Sequence, residues 1–215
     1  MIKVFASTIW GLWIWAVAVL AETVDGQETY DLLFRNGTLD AVDRNSELVY
    51  RRTLANRLAP DADAKNTGDI AVMFDEGDMA RIEFRQDDKQ RALGQFPATV
   101  GNPMIMYFYE SVIRDMSSSA GGSPFYIRNR VKEALVQPSE VELGEAEVGG
   151  ETVETKTIRL EPFAGDPNRA RMRGFGDLVL TVTMSDAVPG WYVSLVAEAE
   201  AYRSVMSFDR LEAGQ

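Results

Sequence analysis

Apolar and polar residues alternate with a period of two along several parts of the chain, the spacing of strands that bury one face. Residues 79–84 show it best. Ala80, Ile82 and Phe84 are separated by Arg81, Glu83 and Arg85, which predicts one buried and one wet face. Residues 70–74 precede this strand across Asp75-Glu76-Gly77-Asp78, a hairpin turn, and residues 47–52 form another strand. Upstream, residues 29–35 and 38–42 flank Asn36-Gly37. Both turn residues tolerate positive φ, so a hairpin is expected there. Asn36-Gly37-Thr38 also matches a glycosylation acceptor, but the turn is the preferred reading. The polar run 61–68 reads as a loop. In the last third, 139–148 and 151–160 flank Gly149-Gly150, and 177–184 and 191–199 flank Val188-Pro189-Gly190. Residues 201–211 stay open between a strand and a short helix.

The middle of the chain changes period. Asn102-Pro103 and Ser123-Pro124 each pair a capping residue with a proline at a first helical position. They start helices over 104–116 and 125–135, linked by 117–122. The second helix carries an apolar stripe at Ile127, Val131 and Leu135, with Arg128, Arg130 and Lys132 off it. The first is apolar around most of its circumference. Met104, Phe108 and Val112 mark one face and Met106, Tyr109 and Ile113 another. Such a helix is expected to have no wet face and to be enclosed by protein or by a ligand. Strands, two helices and strands again predict an α+β fold. A single, mostly antiparallel sheet is expected to pack on the two central helices, and a strongly curved one could wrap the apolar helix.

The chain opens with Lys3 followed by an apolar run from Val4 to Leu20, closing on Val19-Leu20-Ala21 before polar Glu22. That order predicts a secretory signal peptide over 1–21, and one domain over 22–215. The run approaches the roughly 18–20 residues of a membrane span, so an uncleaved anchor is the rival reading. Cleavage would leave no stable membrane insertion, and a periplasmic or otherwise secreted location is expected.

The formal charge of −11 changes the picture of partners. An acidic surface argues against nucleic acid. There is no histidine and no cysteine, which excludes Ser-His and Cys-His nucleophile pairs, thiol redox chemistry and disulfides. Asp61-Ala62-Asp63 lacks the later positions of a calcium loop, because Lys65, Asn66 and Val72 stand where an acid, a glycine and a glutamate are needed. Gly174-Phe175-Gly176 lacks the third glycine of a nucleotide fingerprint. No metal site and no cofactor is expected. Arg169, Arg171 and Arg173 are a basic exception that could grip a lipid phosphate or an acidic partner.

The export signal, antiparallel hairpins, very apolar central helix and long following strands together resemble the periplasmic lipoprotein-carrier-like superfamily. The resemblance is one of organisation and implies a single curved, mostly antiparallel sheet, a half-barrel, that shelters lipid against helices. The expectation is a non-enzymatic binding protein for lipid or another apolar ligand. Met104, Met106, Phe108 and Tyr109 would line the site, because methionines and aromatics make an adaptable apolar wall. Arg169, Arg171 and Arg173 would contact an anionic group. The alternative is an accessory protein that assists an envelope protein complex through surface contacts. An enzyme working through carboxylates, Tyr, Ser or Arg is a third reading.

Overall fold

The computed structural model describes residues 21–214, so the expected signal peptide lies almost wholly outside the described residues. Ten antiparallel strands form one open, curved sheet in the order β1-β6-β7-β8-β9-β10-β2-β3-β4-β5. β2 (Ser46–Asn56), β3 (Gly68–Asp75), β4 (Met79–Gln86) and β5 (Lys89–Pro97) are one meander. β6 (Ser139–Val148), β7 (Glu151–Leu160), β8 (Val179–Met184), β9 (Tyr192–Ala199) and β10 (Tyr202–Ala213) are a second. They join where β10 pairs with β2, from Tyr202↔Asn56 to Ala213↔Ser46. β1 (Ala21–Val24) lies outside β6, with Ala21 opposite Glu142.

The crossover from β5 to β6 carries α3 (Met104–Ala120) and α4 (Pro124–Ala134), which cover one face of the sheet. Leu48, Tyr50, Ile70, Val72, Ile82, Ile158, Val182 and Leu195 point inward from the strands. Met104, Phe108, Val112 and Met116 meet them from α3. Asn102 fixes the start of α3. Its Oδ1 accepts the Met104 amide, and its Nδ2 donates to the Tyr50 hydroxyl at 2.9 Å and the Gly190 carbonyl at 2.8 Å.

Several local expectations need correction. Residues 26–33 are a helix, α1 (Gly26–Leu33), not a strand. Asp25 accepts the Gln27 and Glu28 amides, and Glu28 accepts the Asp25 amide in return. This capping box starts a helix whose Thr29 and Leu33 are buried at i and i+4. Asn36-Gly37 does turn the chain, with Gly37 at φ 72°, but leads into further turns. The run 61–68 contains α2 (Asp61–Asn66). α3 continues through 117–120, where the sequence pattern predicts a linker. Residues 202–213 are a strand. β5 went unexpected because its mostly exposed residues lack alternation.

The expectation that α3 has no wet face is also corrected. Met106, 45% exposed, begins a less buried stripe continued by Glu110 and Arg114, one turn apart each time. The other residues from Met104 to Ile113 are buried.

Candidate functional cleft

The Met106–Glu110–Arg114 stripe faces the sheet edge at β4 and β5, leaving a cleft of about 310 Å³. Ile82, Ala92, Leu93, Phe96, Met106 and Tyr107 supply its apolar walls, and Arg91, Glu110 and Arg114 its polar groups. Local sequence shapes the floor. The register between β4 and β5 shifts between Ile82 and Glu83, so Ile82 opposes Gly94 while Glu83 opposes Ala92 and Leu93 is the extra residue. Bulges re-aim side chains in this way. Gly94 matters because a Cβ there would sit 2.9 Å from the Phe96 ring; its absence lets that ring lie back over the strand.

The charges divide unequally. Arg128 donates from Nε and Nη2 to the two Glu110 carboxylate oxygens, each at 2.7 Å. This bidentate contact, against the opposing effect of burial, holds the Glu110 carboxyl below the usual range. Arg91 lies over the Phe84 ring at 5.3 Å. Among the described residues neither Arg91 nor Arg114 forms an ion pair.

A larger groove, about 860 Å³, opens where β7 outruns β8, between residues 151–155 and the turn at 185–187. Its lining includes Leu143, Met184 and Trp191, but also Glu145, Glu151, Glu154 and Asp186 against the single cation Lys156. Glu145 and Glu154 oppose each other across the β6–β7 ladder. The smaller cleft lies between helix and sheet, has an apolar floor and carries unpaired cations. It is therefore the better place for an apolar chain.

The residues expected at a binding site are dispersed. Met104 and Phe108 are fully buried and Tyr109 nearly so, all within the packed core. The Tyr109 hydroxyl has no hydrogen-bond partner among the described residues, and burial pushes its pKa far up. Met106 alone of the four lines the cleft. Arg169 is paired with Asp177. Arg173, at φ 51°, donates to the Ser119 carbonyl at the end of α3 at 2.8 Å. Arg171 sits with Arg169 in a short 3-10 turn. None of the three lines the cleft. Sequence reasoning missed Arg91, Arg114, Leu93 and Phe96. The i, i+4, i+8 spacing of Met106, Glu110 and Arg114 was a signal for the stripe, whereas β5 offered none.

No protein-family model matches the sequence, and no curated protein matches it as a relative. Among solved structures, the Mycobacterium tuberculosis lipoprotein LppX is 12% identical. The match covers 88% of this chain and 97% of that one, with a TM-score of 0.41. LprF from Mycobacterium bovis is 13% identical over 88% of this chain and 95% of that one, with a TM-score of 0.34.

Proposed function

We propose that this is an exported, non-enzymatic binding protein that shelters an apolar ligand, such as a lipid chain, between its central helix and the edge of its curved sheet. One observation carries the reading. The only large apolar side chain on the less buried stripe of α3, Met106, faces a cleft floored by Ile82, Leu93 and Phe96. Filling the cleft would remove that surface from water, at about 25 cal/mol per Å². No helix among the described residues is long and apolar enough to cross a membrane. Export rests on the segment before Glu22. Met104, Phe108 and Tyr109 act in this reading as the packed support behind the cleft.

The test is solvent extraction of the purified protein followed by lipid mass spectrometry, with titration of a fluorescent acyl probe. Bound lipid and a probe affinity lost in Met106→Glu support the reading. An empty extract together with no probe binding overturns it.

The β6–β7 hairpin favours a second reading. Among the described residues, 151–155 have no partner on the β8 side, so the arm offers a strand edge to another protein. Mild crosslinking in cell envelopes that captures one stoichiometric protein through this arm, with no lipid in the extract, would favour the accessory role.

A further inference from the structure

We infer that the cleft takes a single-chain amphiphile with an anionic head, and that Arg91 and Arg114 hold the head at its mouth. This rests on the reading of the cleft as an apolar-chain site. It adds the chemistry of the head and the number of chains.

Three observations converge. In a chain of formal charge −11, two guanidinium groups flank one apolar cleft without an ion pair or a side-chain hydrogen bond of their own among the described residues. The one carboxylate in the lining, Glu110, is already engaged on both oxygens by Arg128, so the field at the mouth is positive. Both arginines are exposed and the floor between them is apolar, which matches a charged head in water above a chain in the cleft. At about 310 Å³ the space is near the lower end of the roughly 300–1,000 Å³ of ligand sites, which suits one chain better than two. A carboxylate or a phosphate monoester presents the oxygens that a guanidinium fork engages. The acidic groove beside β7 would repel the same head.

The experiment compares twelve-carbon probes below their micellar concentrations: dodecanoate, dodecyl phosphate, dodecyl maltoside and dodecyltrimethylammonium, with inorganic phosphate as a head without a chain. Titration calorimetry is run on wild type and on the double variant Arg91→Gln, Arg114→Gln. The expected result is that both anionic probes bind about tenfold or more tightly than the neutral and cationic ones, as charge-assisted contacts allow. The double variant should lower the anionic probes to the neutral level and leave the maltoside affinity and the thermal midpoint unchanged. Raised salt should narrow the gap, because the contacts are exposed. Dodecanoate against dodecyl phosphate separates a fatty-acid head from a phospholipid-type head, and tight binding of either supports the inference. Equal affinity for all four heads, or a cationic preference, overturns it while leaving the apolar-chain reading intact. Inorganic phosphate competing at the same concentration as dodecyl phosphate overturns it in favour of a free-anion site. Binding of no chain at all overturns both.

Discussion

Arg52 sits where the alternation of β2 calls for an apolar side chain, between inward-facing Tyr50 and Leu54, and is 2% exposed. Its Nη1 donates to the Tyr107 hydroxyl at 2.7 Å and its Nη2 to Asp115 at 3.3 Å. Tyr202 donates to the same carboxylate oxygen at 2.9 Å. A buried pair of this kind is costly to break and less costly to replace whole. Arg52→Leu should therefore destabilise by about 3–5 kcal/mol, and adding Asp115→Leu should restore most of the loss. Urea denaturation of the single and double variants checks this, and a double variant no better than the single would contradict it. Asp115 also gives stability a pH dependence. Burial raises its pKa above the ordinary 3.8, opposed by the Arg52 charge and the Tyr202 hydroxyl. The folded state thus holds the proton longer than the unfolded chain. The contribution is full below 3.8 and is lost as pH rises through the folded value. The stability of wild type minus that of Asp115→Asn should fall with rising pH in that window and be level on either side, as measured by denaturation from pH 3 upward.

At the scale of elements, β5 joins fold to site. It is an edge strand with Lys89, Arg91 and Pro97, residue types that discourage further strand pairing. Its bulge and Gly94 set Phe96 in the cleft wall. Gly94→Ala should push the Phe96 ring toward the cleft and weaken acyl-probe binding several-fold. Stability should change by under about 1 kcal/mol, within the ordinary range for glycine and alanine in a strand. In Gly144→Ala the added Cβ meets only Thr155 Oγ1, at 3.5 Å, so probe affinity should stay as in wild type. Parallel titrations decide, and equal affinity of both variants would separate Gly94 from the site. The elements differed in how far they could be read from sequence. β6 and β7 were legible to the residue because Gly149 and Gly150 adopt positive φ, 61° and 87°, as a tight hairpin requires. α1 was not, because Asn36-Gly37 outweighed the Asp25–Glu28 capping box in a stretch where both signals were present.

For the whole molecule, one continuous set of buried side chains runs from Val141 and Ile158 through Tyr50 and Leu195 to Ile82 and Phe84. A core shared across both meanders predicts that residues 22–215 unfold as a unit. Far-ultraviolet dichroism and tryptophan fluorescence should give coincident single transitions in urea; two separated transitions would divide the chain at the β10–β2 seam. That seam pairs residues about one hundred and fifty apart along the chain. Refolding should accordingly be slow for the size, in the range of roughly milliseconds to seconds found for non-local β topologies. Stopped-flow refolding measures it, and a microsecond phase carrying the full amplitude would contradict it.

The sequence by itself determined what acts over a few residues: the period-two strands, the turns at Gly77, Gly149 and Gly190, the starts of α3 and α4, and an apolar central helix. Steric limits on φ and the alternation of side chains operate within such windows, and no distant partner is needed to express them. Only the tertiary structure decided that β10 lies against β2, that Arg52 is buried with Asp115, and that β5 forms an edge. It also decided that Met106 and Arg114 face Phe96 and Arg91 rather than joining Phe108 in the core. Those are pairings between segments far apart in the chain. Their free energy comes from surfaces that meet only after the sheet has curved around the helix, so no local pattern marks them.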